Sequence, residues 1–350
     1  MSMQVAKGTR SAALVSRHGP TCRRVAQSLG AAGVHVRTSP FPSELPVDDL
    51  GDVVALLVDL DVSPGESPGL LVSEARRGYP DVPLMATAGV DARARLLDAL
   101  CEGDVNHVIP KRGALTLPRG GMPVLGSLEG PDEHDLFAAV RRLLDGPESP
   151  GVTPYLLAGA PVHEVSVRSS EDKDRALERV VAFGESMGLT GEKLRRVELA
   201  AEELLMNALY DAPRNADGIA RNASLDRRQP VALGADETVH MRYGCDGQTL
   251  AVAVADPFGS LSKKAVTDRL RKVRDGIPKP NAGVAGAGLG LVMTYSVANQ
   301  LIFAVSPGRL TEVTAVLHVG GSNRAAQERG TAVHFYVAPS SAAGEGSGGW

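Results

Sequence analysis

The hydrophobic pattern of this 350-residue chain changes at residues 146–159, and that change constrains the fold more than any other feature. Before it, short apolar runs alternate with stretches of helical spacing. This alternation predicts an α/β domain with a doubly wound parallel sheet. The break itself reads GPESPGVTPYLLAG, which is rich in Gly and Pro and fits neither periodicity. Since the chain is longer than a typical single core, we expect two domains.

The first predicted domain spans residues 1–145 and is followed by a predicted linker at 146–160. Its strands are predicted at residues 12–16, 34–38, 53–59, 82–86 and 107–109. Its helices are predicted at residues 22–32, 69–77, 92–102 and 135–144.

The second predicted domain spans residues 161–338 and has a different order of elements. A strand at 163–167 and helices at 172–187 and 196–211 come first. Alternating or β-branched runs then predict antiparallel strands at residues 238–243, 249–255, 301–305, 311–319 and 331–337. This order predicts an α+β two-layer sandwich. Residues 339–350 are polar and glycine-rich, which predicts a flexible tail.

Composition excludes several classes of protein. A formal net charge of -4 provides no basic field for nucleic acid or an anionic membrane. The cysteines are far apart and form no Cys-x-x-Cys pair, which argues against a disulfide framework or a zinc site. The longest strongly apolar run, residues 53–58, is too short to span a bilayer. We therefore expect a soluble cytoplasmic protein with no nucleic-acid or membrane partner; a homodimer remains open.

Residues 196–211 read RVELAAEELLMNALYD and are predicted to form one helix with an apolar face. Glu203, Asn207 and Asp211 lie at i, i+4 and i+8, so a regular helix aligns them along an edge of that face. A carboxylate one turn before an amide is an arrangement that a magnesium-nucleotide site can use. The alternative is the solvated side of an ordinary amphipathic helix.

Two further stretches contain residues suited to a nucleotide site. Residues 256–259, Asp-Pro-Phe-Gly, follow a predicted strand, and residues 283–291 read GVAGAGLGL before a predicted helix. Closely spaced glycines let the backbone approach an oligophosphate, and the first N–H groups of the helix point toward it. A Rossmann site would instead need such glycines directly after the first strand of a parallel unit.

These three elements, in this order, resemble the ATP-binding domain shared by histidine kinases, type II topoisomerases and bacterial anti-sigma serine kinases, with the anti-sigma pattern the nearest. The resemblance covers residues 162–337. It implies bound ATP and Mg²⁺, with Asn207 as a magnesium ligand, Glu203 orienting or deprotonating the nucleophile, and Asp256 accepting the adenine amino group. The other nucleotide-binding positions that it implies are Asp211, Gly259, Gly286, Gly288, Gly290 and Thr331.

The chain departs from that family pattern in two places. Phe258 and Ser260 stand where the family usually has glycines. Asp211 replaces the His or Tyr common at the end of the helix, and a second carboxylate beside a triphosphate adds repulsion unless a cation compensates. The lid segment is basic, and either one of its cations neutralises the γ-phosphate or they form a solvated helix face. These cations are Lys263, Lys264, Arg269, Arg271 and Lys272.

The first domain resembles the receiver domain of two-component response regulators. Asp59 or Asp61, after the third strand, would correspond to the phosphoacceptor of that family. Thr87 after the fourth strand and Lys111 after the fifth would correspond to its switch hydroxyl and its lysine. Residues 16–18, Ser-Arg-His, stand where the family has two acidic residues that hold magnesium. We therefore predict a degenerate receiver that works without phosphorylation, with Asp59 retained as the candidate phosphoacceptor; the alternative is a polar strand end in a scaffold.

These features predict a bacterial signalling regulator that binds ATP and acts as a serine/threonine protein kinase of the anti-sigma type on a regulatory protein partner. A second hypothesis is a non-catalytic switch, in which bound ATP changes the affinity for that partner. A third is a histidine-kinase-like component of a phosphorelay that passes the phosphoryl group to Asp59 or Asp61.

Overall fold

The chain forms two compact units, and each is described by itself below. The computed structural model describes residues 10–45, 53–63, 65–89, 93–112, 130–145, 151–215, 217–222, 225–274, 290–322, 326 and 329–338. Unit 1 comprises residues 1–145 and 328–333, and unit 2 comprises residues 146–327 and 334–350. No helix in these described ranges is both long enough and apolar enough to cross a membrane.

Unit 1 contains a parallel sheet in the order β2-β1-β3-β4-β5. Its strands are β1 (Ser11–Val15), β2 (His35–Ser39), β3 (Val53–Asp59), β4 (Leu84–Ala88) and β5 (His107–Arg112), and a short β6 (Gly130–Pro131) pairs antiparallel with β5. Its helices are α1 (Gly19–Ala31), α2 (Pro68–Gly78), α3 (Arg93–Glu102) and α4 (Glu133–Asp145).

The helices of unit 1 cover both faces of this sheet. Val25 and Leu29 of α1 pack with Leu136 and Val140 of α4 on one face, together with inward residues of the strands. Helices α2 and α3 contact each other and the strands β3, β4 and β5. Because the carboxyl ends of parallel strands share one edge, residues that follow β3, β4 and β5 meet there.

Unit 2 contains a sheet in the order β12-β10-β11-β9-β8-β7, and the pairs from β10 to β7 are antiparallel. Its strands are β7 (Val162–Val167), β8 (Val239–Cys245), β9 (Thr249–Asp256), β10 (Gln300–Ser306), β11 (Leu310–His318) and β12 (Ala332–Val337), of which the part from residue 334 belongs to this unit. Its helices are α5 (Ser170–Ser186), α6 (Gly191–Met206), α7 (Lys263–Arg274) and α8 (Gly290–Val297).

The helices of unit 2 form a layer on its sheet. Helix α6 packs on β9 and β11, α5 packs on β7 and α6, and α8 packs on α6 and β10. Buried apolar residues of α6 recur at the predicted helical spacing, since Val197, Ala201, Leu204 and Leu205 are all at most 2% exposed. The expected α/β class is therefore confirmed: the chain is a mixed α/β protein.

Residues 151–160 differ from the predicted linker. They include a 3₁₀ turn at Thr153–Tyr155, and the side chains of Val152 and Tyr155 are buried. The backbone N–H of Gly151 donates to the buried Oε1 of Glu312 on β11, at 2.9 Å. This described part of the predicted linker is thus folded onto unit 2, because it contains apolar side chains that the sheet can bury.

Candidate functional site

The helix that was predicted to run regularly to residue 211 changes geometry at Asn207. Helix α6 ends at Met206, and Asn207–Asp211 forms a π-helical turn. The N–H of Ala212 donates to the carbonyl of Asn207 at 2.9 Å, which is the i to i+5 bond of such a turn. The predicted alignment of Glu203, Asn207 and Asp211 on one regular helix is therefore wrong in its last turn. π-Turns of this kind are frequent at functional sites.

A cavity of about 100 Å³ lies beside this turn, between α6, α7, α8 and the strands β9, β10 and β11. This volume is several times the roughly 10–15 Å³ that one water molecule requires. Its apolar lining is Leu204, Ala208, Ala212, Val254, Leu261, Ala265, Val266, Leu291, Phe303 and Val313. Its polar lining is Asn207, Asp211, Arg214, Asp256, Ser260, Arg269 and Thr311. The structure thus brings Asn207, Asp211 and Asp256 to one cavity, although they come from two distant parts of the chain.

Asp256 ends β9 with its carboxylate buried, and it is 5% exposed. Its Oδ1 accepts the backbone N–H of Phe258 at 3.0 Å, so a local turn fixes the orientation of the carboxylate. Burial raises the pKa of Asp256 to about 7, against the opposing effect of the N–H groups of Phe258 and Gly259 and the charge of Arg214. The carboxylate can therefore exchange a proton near neutral pH.

Glu203 lies next to the cavity but is not among the residues that line it. Burial raises the pKa of Glu203, and the nearby charge of Arg227, 3.9 Å away, opposes that effect. Its Oε2 makes no hydrogen bond to any residue that the structure describes. A Cβ on Gly290 would overlap this same oxygen, so a larger residue at position 290 would displace the carboxylate of Glu203.

Two arginines surround Asp211, and neither was singled out from the sequence as its partner. Nη2 of Arg227 and Nη2 of Arg269 lie 3.4 and 3.5 Å from the same carboxylate oxygen, Oδ2. The second carboxylate that the sequence places beside a triphosphate site is thus compensated by cations, as its charge requires.

Arg227 belongs to a polar segment, residues 213–231, and described residues of this segment contact the π-turn. The hydroxyl of Tyr210 lies 2.7 Å from the carbonyl oxygen of Gln229 and 3.1 Å from that of Arg227, and donates to this pair. Nδ2 of Asn222 donates to the carbonyl of Leu209 at 3.0 Å. Residues of the π-turn therefore set the position of Arg227, a relation between distant segments that local sequence periodicity does not reveal.

The basic lid segment forms α7, and its cations have different environments. Lys264 and Arg271 pair with Asp268 on the same helix, at 2.6 and 2.5 Å. Arg269 instead lines the cavity. Of these α7 residues, Arg269 is thus the one placed to meet a ligand.

Three other predicted positions have different roles in the structure. Gly259 has φ +56, and a Cβ there would overlap the backbone at Ser306 and Gly308, so it packs against the β10–β11 turn instead of lining the cavity. Thr331 is buried but is not among the residues that line the cavity, whereas Thr311 is. Thr311 pairs with Asp256 across β11 and β9, which explains its position. The predicted Gly286 and Gly288 lie outside the described residues.

The predicted phosphoacceptor of unit 1 is part of a buried ion pair. Oδ1 of Asp59 lies 2.7 Å from Nζ of Lys111, and Ser16 Oγ donates to its Oδ2 at 2.7 Å. Lys111 also contacts Asp61 at 2.9 Å, and both members of the Asp59–Lys111 pair are at most 4% exposed. Ser16, at the position where an acidic ligand was missing, therefore supplies a hydrogen-bond donor to the carboxylate.

The other receiver-like positions also have internal partners. Thr87 Oγ1 donates to the carbonyl of Ile109 at 2.8 Å. Arg17 pairs with Glu66 at 2.5 Å and lies over the ring of Phe41. Within the described ranges, no group of three or more His, Cys, Asp and Glu side chains is arranged to hold a metal ion.

Comparisons with known proteins add little to this geometry. No protein-family model matches the chain, and no curated protein matches it. Among solved structures, the RcsB response regulator of Salmonella typhimurium matches with a TM-score of 0.26 and 14% sequence identity, over 55% of this chain and 90% of that chain. At this TM-score the match supports no conclusion about fold or function. The fold and the cavity thus define the chain as a mixed α/β protein. The cavity in unit 2 is lined by both carboxylates and arginines.

Proposed function

We propose that unit 2 binds ATP with Mg²⁺, and that the chain is a bacterial signalling regulator that acts as a serine/threonine protein kinase of the anti-sigma type on a partner protein. The observation that best supports ATP binding is the cavity that Asn207 and Asp256 share, with apolar walls and with Arg269 at its lining. Apolar walls with a few placed polar groups are typical of small-molecule sites.

Asp256 and Asn207 take different parts of the nucleotide in this proposal. The Asp256 carboxylate accepts a hydrogen bond from the adenine amino group. Its orientation, fixed by the Phe258 N–H, suits this contact. The amide oxygen of Asn207 is a hard oxygen donor of the kind that Mg²⁺ takes. Magnesium bound there would neutralise charge on the triphosphate.

Glu203 is the proposed base for transfer. It takes the proton of a partner's serine or threonine hydroxyl as that oxygen bonds to the γ-phosphorus, while the bond from this phosphorus to the bridging oxygen breaks and ADP leaves. A carboxylate whose pKa is raised by burial is a better base for this step than an exposed one.

The second candidate is a switch in which ATP is bound but not turned over. It is favoured by one observation: Glu203 lies behind Gly290 and does not line the cavity. The third candidate, phosphoryl transfer to Asp59 or Asp61, is disfavoured because Ser16 and Arg17 stand where carboxylates would be needed to hold magnesium.

Nucleotide binding is tested by titrating the full chain with ATP and with GTP in the presence of Mg²⁺. We expect ATP to be preferred in the wild type, Asp256→Asn to lose that preference, and Asn207→Ala to weaken ATP by roughly tenfold or more. The controls are Asp236→Asn and Asn215→Ala, which change exposed residues of unit 2. Equal affinity for ATP and GTP in the wild type contradicts the role of Asp256.

Transfer is tested separately with ATP labelled in the γ-phosphoryl group, with and without candidate partner proteins. A kinase labels the partner on serine or threonine, and Glu203→Ala abolishes labelling but keeps ATP binding. ATP binding with no label on any partner favours the switch.

A further inference from the structure

Asp211 joins two segments that lie far apart in the sequence. Arg227 comes from residues 213–231, and Arg269 comes from α7. Both contact the same Oδ2 atom, at 3.4 and 3.5 Å. One carboxylate oxygen therefore connects the polar segment, the π-turn and the lid helix.

These contacts are weaker than the best ones that arginine makes. Distances of 3.4 and 3.5 Å are beyond the usual range for a charge-assisted hydrogen bond, and two guanidinium groups share one oxygen. Asp211 and Arg269 line the cavity, and Arg227 lies next to it through its contact with Asp211. The side chains of Asp211, Arg227 and Arg269 are 21%, 27% and 28% exposed, so solvent reaches all three. An anion with several oxygens can offer both arginines shorter, bidentate contacts.

The charges near Arg227 and Arg269 balance before any ligand enters. Glu203 lies 3.9 Å from Arg227, so the two arginines face the two carboxylates of Glu203 and Asp211. A polyphosphate that enters must therefore either compete with Asp211 for these cations or meet its negative charge unshielded.

We propose that Arg227 and Arg269 bind the polyphosphate of the nucleotide and that Asp211 holds both arginines while the cavity is empty, so that nucleotide binding exchanges one anion for another. The inference rests on the proposed ATP binding by unit 2. In the empty state Asp211 attaches α7 to the π-turn; in the bound state the phosphates attach α7 to the ligand. Occupancy of the cavity is thus transmitted to α7, because the ligand has different contacts in the two states.

The exchange makes Asp211 a competitor of the nucleotide, which is the opposite of a ligand role. Removing its charge in Asp211→Asn should tighten ATP binding by about tenfold, while Arg227→Gln and Arg269→Gln should each weaken it by about tenfold. Affinity for adenosine, which has no phosphates, should stay within about twofold in all three variants. Arg271→Gln is the matched control on α7, since Arg271 pairs with Asp268 and does not line the cavity.

The experiment measures dissociation constants of ATP and adenosine with Mg²⁺ for the full-length wild type and these variants. Amide hydrogen exchange of α7 is measured in the absence of nucleotide, where Asp211→Asn should increase it. Adenosine binding shows that each variant is folded.

Weaker ATP binding in Asp211→Asn would mean that Asp211 is itself a ligand, and would overturn the exchange. The exchange would also be overturned if Arg227→Gln and Arg269→Gln both left the dissociation constant of ATP unchanged while adenosine still bound. If neither ATP nor adenosine binds the wild type, ATP binding by unit 2 is rejected, and the proposed exchange is rejected with it. Failure of the exchange alone leaves ATP binding by the wild type intact, so the two results are distinguishable.

Discussion

Asp256 is a carboxylate whose burial costs the folded protein stability. Its pKa rises from 3.8 to about 7 on folding, so the folded state binds the proton more tightly than the unfolded state. The stability that this proton binding provides is present at low pH and is lost as pH rises through about 7, with an upper bound of about 4 kcal/mol. The proposed contact with adenine requires the Asp256 carboxylate as a hydrogen-bond acceptor. This requirement would explain why a carboxylate is buried at the site.

Asp256→Asn should stabilise unit 2, and more at pH 8 than at pH 5. The amide keeps an oxygen for the Phe258 N–H but removes the group that must be buried in its charged form. We expect a gain of about 1–4 kcal/mol at pH 8 and a smaller one at pH 5, measured by urea unfolding. Asp236→Asn, at an exposed position, should change stability by less than about 0.5 kcal/mol at either pH. An equal gain at both pH values would show that ionisation of Asp256 is not the cause.

Helices α6 and α8 meet through Glu203 and Gly290, and a Cβ at position 290 would displace the buried carboxylate of Glu203. Gly290→Ala should therefore destabilise unit 2 by about 1–3 kcal/mol through overpacking. The double variant with Glu203→Ala should recover much of this loss, because it removes the atom that the new methyl group meets. The measurement is the urea midpoint of each single variant and of the double variant.

Gly30→Ala is the control for that prediction. Gly30 lies in α1, where a Cβ would meet nothing within 4 Å. Gly30 lies in the last turn of α1, so this change should stabilise by up to about 0.5–1 kcal/mol, the range for a glycine-to-alanine change in a helix. Strict additivity of Glu203→Ala and Gly290→Ala would be evidence against the contact.

The π-turn orders the polar segment at residues 213–231 through Tyr210. Tyr210→Phe removes the hydroxyl that donates to the carbonyls of Arg227 and Gln229. We expect a loss of about 0.5–1.5 kcal/mol, since two part-buried carbonyl oxygens lose their donor, and faster amide hydrogen exchange in this segment. Tyr243→Phe, on β8, should leave exchange of the segment unchanged. Unchanged exchange in Tyr210→Phe would mean that other contacts hold the segment.

The stability of unit 1 depends on the ion pair of Asp59 and Lys111, because both charges are buried in its core. Lys111→Met leaves Asp59 buried without its cation and should destabilise unit 1 by about 3–5 kcal/mol. The double variant with Asp59→Asn should recover part of the loss, because no uncompensated charge remains. Arg141→Met, which breaks an exposed pair with Asp145 on α4, should cost under about 1 kcal/mol in the same unfolding measurement. A similar small effect of Lys111→Met would show that the pair is not structural.

Much of the fold follows from patterns within short stretches of sequence. Strand β3 was predicted with its observed bounds, because a continuous apolar run has few other solutions. Helix α6 follows from apolar residues at helical spacing, and Asp256 from its place at the end of a strand. Local periodicity and strand ends can therefore be read without knowledge of the tertiary fold.

What the sequence did not reveal depends on contacts between distant segments. Arg227 lies in a stretch with no periodicity, and contacts with the π-turn, among them that of Tyr210, bring it to Asp211. The sequence predicts Thr331 at the site, but strand pairing places Thr311 beside Asp256. The π-turn adds one residue to a helix whose apolar spacing predicts a regular continuation.

That additional residue in Asn207–Asp211 also makes the site sensitive to the deletion of one residue. A regular α-helix advances by about 1.5 Å and turns by roughly 100° per residue. Loss of a single codon within the turn would allow regular i to i+4 bonds, and the side chains that remain in the turn would change direction relative to α6. The smallest in-frame deletion available to the gene would thus change how the Asp211 carboxylate meets its arginines, and it would also disturb the buried Leu209 and Tyr210.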